Sequence, residues 1–264
     1  MKNVDTKFIG IINVTPDSFF DGGRFLEHGG KDDFVKIARQ MILDGASVLD
    51  VGGESTGPGS LEVSVEEELK RVIPVISRLR AEFPDIIISV DTWKSEVASK
   101  AILAGVNMVN DVTAGRSDPK IFDVVAQADV PIVLMYSKQA SPRTNREIVE
   151  YDDVVVTVKT FLMERILCAH KAGVKKIIID PGMGAFVSGD AKYSFEIIER
   201  ILELREMGYP ILVGTSRKGF LGATPEEREA MTLWTTSVLR GQVDYLRVHD
   251  VFENITCLAG QRCI

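Results

Sequence analysis

Asp91, Asn110 and Asp180 stand at or just beyond the ends of short β-rich apolar runs, and so do Ser216-Arg217-Lys218, Arg247 and His249. The first three offer hydrogen-bond acceptors and one amide donor, a set that suits the edge of a nitrogen-rich heterocycle. Arg217, Lys218, Arg247 and His249 offer cationic donors, which suit a phosphate or a developing anion. Asn13, and Glu54 with Ser55 and Thr56, add polar groups at the ends of the first two runs. Any one of these could be a helix cap, since caps favour Asp, Asn, Ser and Thr. Polar groups at seven of eight run ends point instead to a site. The chain has no His-Glu-x-x-His and no Cys-x-x-Cys, so a zinc site is not expected. Neither a Ser-His-Asp signature nor an elbow such as Gly-x-Ser-x-Gly is expected. Hydrogen bonding plus anion binding without an activated nucleophile points to a transferase that positions two substrates.

Groups so far apart in sequence meet only if one scaffold gathers the run ends. The runs Lys7–Val14, Ser47–Val51, Ile86–Val90, Asn107–Asn110, Pro131–Met135, Lys176–Ile179, Pro210–Gly214 and Tyr245–Val248 read as strands. Helical periodicity fills the gaps near Asp32–Asp44, Ser64–Phe83, Lys94–Ala104, Pro119–Gln127, Tyr151–Ala172, Ser194–Met207, Pro225–Leu239 and Val251–Gly260. Ser64-Val65-Glu66-Glu67 is a capping-box pattern, and Pro225 with two following glutamates makes a good first turn. Gly45, Gly105, Gly173, Gly208 and Gly241 each fall between a helix and a strand, where a left-handed C-cap is expected. Eight β/α units in 264 residues fit an α/β fold of one (β/α)8 TIM barrel spanning residues 1–264, with its active site at the C-terminal strand ends. A doubly wound open sheet is the alternative. It would more often carry a Gly-rich turn after the first strand, where this chain has Asn13-Val14-Thr15-Pro16-Asp17-Ser18.

Composition sets outer bounds. Hydrophobic residues make up 45% and charged residues 26%, the mixture of a globular chain. A net charge of −7 favours neither nucleic acid nor an anionic membrane, so an anionic substrate needs local cations. No apolar run approaches the roughly 20 residues needed to span a bilayer, and no signal peptide is apparent. Cys168, Cys257 and Cys263 form no framework, which suits a reducing cytoplasm.

Seven segments together resemble the dihydropteroate synthase family. They are IGIINVTPDSFFDGG from Ile9, SVLDVGGEST from Ser47, SVDTWKSEVASKAI from Ser89, NDVTAG from Asn110, IIIDPGMG from Ile177, LVGTSRKGFLG from Leu212 and LRVHDV from Leu246. They occur in order over essentially the whole chain. The resemblance implies condensation of 6-hydroxymethyl-7,8-dihydropterin pyrophosphate with p-aminobenzoate, giving 7,8-dihydropteroate and pyrophosphate. It implies that Asp91, Asn110 and Asp180 bind the pterin edge, that Lys218 donates to the pterin, and that Arg247 stacks on its face. Asn13, with Mg²⁺ as cofactor, would hold the pyrophosphate together with Arg247 and His249. Thr56, Pro58, Phe186, Ser216 and Lys218 would shape the p-aminobenzoate pocket, and the loops Val14–Gly23 and Glu54–Gly59 would close over it. A homodimer is implied as well.

The chain departs from the family pattern in the second-substrate half. An expected Arg is Gly57, the stretch after Asp180-Pro181-Gly182 reads Met183-Gly184-Ala185-Phe186-Val187, Met-His becomes Met135-Tyr136, and a serine after Lys218 is Gly219. The segments Ser18–Asp21 and Asp180–Gly184 are similar to those of sulfonamide-insensitive members, so reduced sulfonamide sensitivity is expected. Two other readings share the barrel: a pterin-binding methyltransferase acting with a corrinoid protein, and a non-catalytic paralogue. Plain structural roles are expected for His28, His170, Trp93, Trp234 and Asp50, and a solvated helix start for Glu66–Glu68.

Overall fold

The computed structural model describes residues 4–15 and 31–257. Its strands are β1 (Lys7–Asn13), β2 (Ala46–Gly52), β3 (Ile87–Asp91), β4 (Met108–Asp111), β5 (Ile132–Met135), β6 (Ile177–Asp180), β7 (Leu212–Val213) and β8 (Tyr245–Val248). They form one parallel sheet in the order β6-β5-β4-β3-β2-β1-β8-β7. A parallel bridge between Ile179 and Ile211 joins its two ends, and the sheet closes into a barrel. The connecting helices are α1 (Lys31–Leu43), α2 (Val65–Glu82), α3 (Ser95–Leu103), α4 (Ile121–Ala128), α5 (Val154–Lys171), α6 (Lys192–Glu199), α7 (Leu202–Arg205), α8 (Pro225–Leu239) and α9 (Val251–Thr256).

The barrel positions the site through the two-residue period of a strand, which sends alternate side chains inward. Ile9, Val48, Met108, Val133, Ile178 and Leu212 pack into one apolar cluster inside the barrel. Two residues further along the same strands the inward face carries Ile11, Asp50, Asn110, Met135, Asp180 and Gly214. The outward faces join the helices in a second and larger core that includes Leu49, Val51, Ile88, Val90, Ile179 and Val213. Burial on both faces explains why the strands read as near-continuous apolar runs.

Local chemistry fixes the helix ends. The Ser64 side chain accepts from the Glu67 amide, and Thr224 and Glu227 form a full capping box ahead of Pro225. Gly45, Gly105, Gly173, Gly208 and Gly241 all take positive φ at their helix-to-strand turns. One expected helix, Ser194–Met207, is two. The amides of Ile201 and Leu204 bond to carbonyls three residues back, tightening the chain between α6 and α7. Three- and four-residue spacings keep the same side chains inward, so periodicity alone does not reveal the break. A second correction concerns Glu66–Glu68: Glu68 is fully buried, because it continues the inward stripe of Val72, Val75, Ile76 and Leu79 on α2. The C-terminal part of the Val251–Gly260 helix expectation, His28 and Cys263 lie outside the described residues; Cys168 and Cys257 are partly buried. Among the described residues, no helix is long and apolar enough to cross a membrane.

Candidate active site

Arg247 organises the polar layer at the top of the barrel. Its Nε donates to Asp50 Oδ2 at 2.6 Å and its Nη2 to Asp91 Oδ2 at 2.6 Å. Asn110 Nδ2 donates to the same Asp50 oxygen at 3.3 Å. Burial disfavours a charged guanidinium, but Asp50 and Asp91 outweigh it and hold Arg247 firmly protonated. Asp91 is raised to about 7 because burial penalises its charge, with Asp50 adding to the rise and Arg247 opposing it.

Asp180 ends β6 and accepts from the Gly182 amide at 2.7 Å. That turn requires glycine: Gly182 has φ +68°, and a Cβ there would lie 2.3 Å from the Tyr136 carbonyl oxygen. Burial raises Asp180 to about 6, with Lys218 pulling the other way. Lys218 follows Arg217, which takes φ 58° while its amide donates to Thr232 Oγ1 at 3.0 Å. A left-handed residue other than glycine costs roughly 1–2 kcal/mol, and this one turns Lys218 back over the barrel mouth. The Lys218 ammonium lies 5.0 Å from the Phe186 ring centroid and 3.4 Å from the Met183 carbonyl oxygen. Burial lowers it to about 8, with Asp180 opposing the shift.

Above this layer lies a cavity of about 570 Å³. Of the residues expected from sequence, Pro58, Phe186, Ser216, Lys218, Arg247 and His249 line it. Asp91, Asn110 and Asp180 sit at the strand ends beneath: Asp91 meets Arg247, Asn110 meets Asp50, and Asp180 faces Lys218. Asn13 is exposed at the end of β1, two residues beyond Ile11, which also lines the cavity. Thr56 is beside the cavity and not in its lining; its carbonyl accepts from the Thr144 amide at 3.2 Å. Of the loop Val14–Gly23, only Val14 and Thr15 fall within the described residues.

Three expectations change in detail. His249 is not a cationic donor: burial, with Arg217, Arg247 and Lys218 nearby, lowers it to about 3, and its Nδ1 shares a 2.9 Å hydrogen bond with Ser216 Oγ. Arg217 leans away from the cavity towards Glu229, 3.6 Å distant. Gly53-Glu54-Ser55-Thr56-Gly57 spells a Gly-x-Ser-x-Gly pattern, contrary to its expected absence, but Ser55 is exposed and α2 does not begin until Val65, so no strand-turn-helix elbow forms.

Under the second loop lies a buried ion network. Lys94 Nζ donates to Glu54 Oε2 at 2.8 Å, to Glu68 Oε2 at 2.5 Å and to the Val63 carbonyl at 2.6 Å. Arg143 pairs with the other Glu54 oxygen, and Trp93 Nε1 donates to Glu54 Oε2 at 3.2 Å. Among the described residues, no group of His, Cys, Asp or Glu side chains forms a metal cage. Asn13 therefore fits Mg²⁺ only as one ligand to an ion held mainly by phosphate oxygens, the usual arrangement for Mg²⁺.

Comparison with known proteins decides the family. The sequence profile of the pterin-binding enzymes matches residues 9–249. The chain is 41% identical over 257 residues to dihydropteroate synthase of Clostridium beijerinckii, covering 94% of this chain and 90% of the relative. The structure of Xanthomonas albilineans dihydropteroate synthase with 4-aminobenzoic acid superposes with a TM-score of 0.85 at 40% identity, covering 96% of this chain and 91% of that one. The same enzyme in complex with 7,8-dihydropteroate superposes with a TM-score of 0.83 at 38% identity, covering 98% and 93%. The chain belongs to the pterin-binding enzymes.

Within that family frame, sequence reasoning missed three things. Asp50 has the structural role expected of it, but its partner is Arg247 itself. The two-residue step from Val48 to Asp50 would have placed it on the inward face. The network around Lys94 joins three separate segments and has no signature in any of them. Arg146 and Arg228, which also line the cavity, carry no motif that marks them.

Proposed function

We propose that the chain works as a dihydropteroate synthase through these strand-end residues, joining 6-hydroxymethyl-7,8-dihydropterin pyrophosphate to p-aminobenzoate. The observation that carries the reading is the convergence of Asp91, Asn110, Asp180 and Arg247 from four strands beneath a cavity of about 570 Å³ that Arg247 and Lys218 line. Asp91, Asn110 and Asp180 take the hydrogen-bonding edge of the pterin, Asp91 offering the oxygen that Arg247 leaves free. Lys218 donates to the ring, and the planar Arg247 guanidinium lies against its face. Arg247, neutral His249 and Asn13 face the pyrophosphate. Bound Mg²⁺, with Asn13 as one ligand, would take up charge on that leaving group.

The C–O bond to pyrophosphate breaks with its electron pair leaving on the phosphate oxygen. The resulting methylene cation is conjugated to the pterin ring and faces the Asp91 carboxylate. The arylamine lone pair forms the new C–N bond, and the extra proton on nitrogen passes to solvent. Catalytic weight therefore rests on Asp91, Lys218 and Arg247. Pro58, Phe186, Ser216 and Lys218 bound the arylamine, with Thr56 just behind the lining. Because that half of the cavity departs from the family pattern, sulfonamides should bind less tightly than p-aminobenzoate. An inhibition constant for sulfamethoxazole equal to the Michaelis constant for p-aminobenzoate would contradict this. The reading also takes the enzyme to be a cytoplasmic homodimer.

The test is an assay of pyrophosphate release and pteroate formation from the pterin pyrophosphate, with and without p-aminobenzoate and with and without Mg²⁺. Pteroate should form only when both substrates and the metal are present. Absence of pteroate under those conditions overturns the reading.

A further inference from the structure

Among the described residues, five with basic side chains line the cavity, and four are already engaged or uncharged. Arg247 is bonded to Asp50 and Asp91. Lys218 lies over Phe186 and faces Asp180. Arg228 donates to the carbonyls of Gly222 and Ala223 at 2.8 and 3.0 Å. His249 is held neutral by burial among cations. The fifth, Arg146, is exposed at the cavity, and its guanidinium has no hydrogen-bond or ion-pair partner among the described residues.

The backbone that presents Arg146 is nonetheless tightly held. Thr144 donates through its amide to Thr56 O at 3.2 Å and through its hydroxyl to Ala185 O at 2.7 Å. Lys138 Nζ donates to the carbonyls of Asn145 and Glu147 at 3.1 and 2.6 Å. The Gly189 amide donates to Glu147 O at 2.8 Å, and a Cβ on Gly189 would lie 2.2 Å from the Arg146 carbonyl oxygen. The segment thus bridges the loops after β2 and β6, and it sets Arg146 on the lining of the cavity that Lys218 and Phe186 also line. Such anchoring of an unpaired fork suits an incoming planar anion.

We propose that Arg146 receives the carboxylate of the arylamine substrate and sets the selectivity for an anionic over a neutral arylamine. This rests on the function proposed above. The amine must reach the methylene of a pterin lying on the strand ends, so a para-carboxylate points directly away from the floor, towards the rim. Gly57 and Gly219, on the cavity wall, offer no side-chain donor there. Arg146 supplies the bidentate pair.

The experiment compares steady-state kinetics of wild type, Arg146→Ala and Arg146→Lys with p-aminobenzoate and with neutral p-aminobenzamide. The Arg146→Ala change should raise KM for p-aminobenzoate by roughly ten- to a hundredfold, the range expected for a lost charge-assisted hydrogen bond, with kcat little altered. KM for p-aminobenzamide and the Kd for pterin pyrophosphate should be unchanged, and Arg146→Lys should recover part of the loss. Equal losses with both arylamines, a loss confined to pterin pyrophosphate, or no change in either KM overturns the assignment. If wild type makes no condensation product with either arylamine, the functional reading fails and the Arg146 role fails with it.

Discussion

At the residue scale, the site works by holding charges in a place where charge is costly. Asp91 and Asp180 are raised to about 7 and about 6 by burial, and Lys218 is lowered to about 8 by the same cause. Binding the pterin edge needs both carboxylates ionised and the ammonium protonated. As pH falls through about 7 to 6 the carboxylates take up protons, and as it rises through about 8 the ammonium loses one. A narrow bell in kcat/KM for the pterin pyrophosphate should follow, since that ratio reports the free enzyme. His249, neutral above about 3, should add no limb. Lys218→Arg should move the alkaline limb upward, because a guanidinium keeps its proton. A profile flat from pH 5 to 9 would refute the assignment of roles. Asp91→Asn, Asp180→Asn and Lys218→Ala should each weaken transition-state stabilisation by about 2–4 kcal/mol, read as kcat/KM, with circular dichroism unchanged. Two variants of near-wild-type activity would sink the site.

At the element scale, the mouth of the barrel is tied together by one buried ion network. Lys94, in the turn between β3 and α3, joins Glu54 after β2 to Glu68 on α2, and Arg143 extends the network to the loop after β5. Burial raises Glu68 despite the neighbouring ammonium, so the network is finely balanced. Removing Lys94 alone would leave the Glu68 carboxylate, its side chain 1% exposed, without its cation, while Glu54 keeps Arg143. Lys94→Met should therefore destabilise the fold by about 3–5 kcal/mol in urea denaturation, whereas Lys94→Met with Glu68→Leu should recover much of that loss. A loss below about 1 kcal/mol for the single change would mean that water reaches the network. Because Arg143 belongs to the segment that carries Arg146, the same substitution should also loosen the arylamine rim.

At the scale of the whole molecule, closure of the barrel brings Asp50 and Asp91 next to Arg247, 197 and 156 residues away in sequence. The outer surface still leaves large apolar groups in water: Trp234 on α8 is 47% exposed and Phe252 on α9 is 57% exposed. Apolar surface of this kind is what a homodimer would cover. Sedimentation should find the wild type dimeric and Trp234→Glu shifted towards monomer. A monomeric wild type at micromolar concentration would reject the homodimer.

Sequence alone indicated the strands, the helix starts at Ser64 and Pro225 and the five left-handed glycine turns, because each follows from local period and backbone sterics. It also marked Asp91, Asn110, Asp180, Lys218 and Arg247, because a polar residue that ends an apolar strand is visible without knowing its neighbours. Only the tertiary structure decided what those groups do to one another. The two-carboxylate grip on Arg247, the neutral state of His249, the burial of Glu68 against Lys94 and the free Arg146 at the rim all depend on distances across the barrel. Desolvation and Coulomb energy are set by which groups meet and how dry the meeting place is, and no stretch of sequence states either.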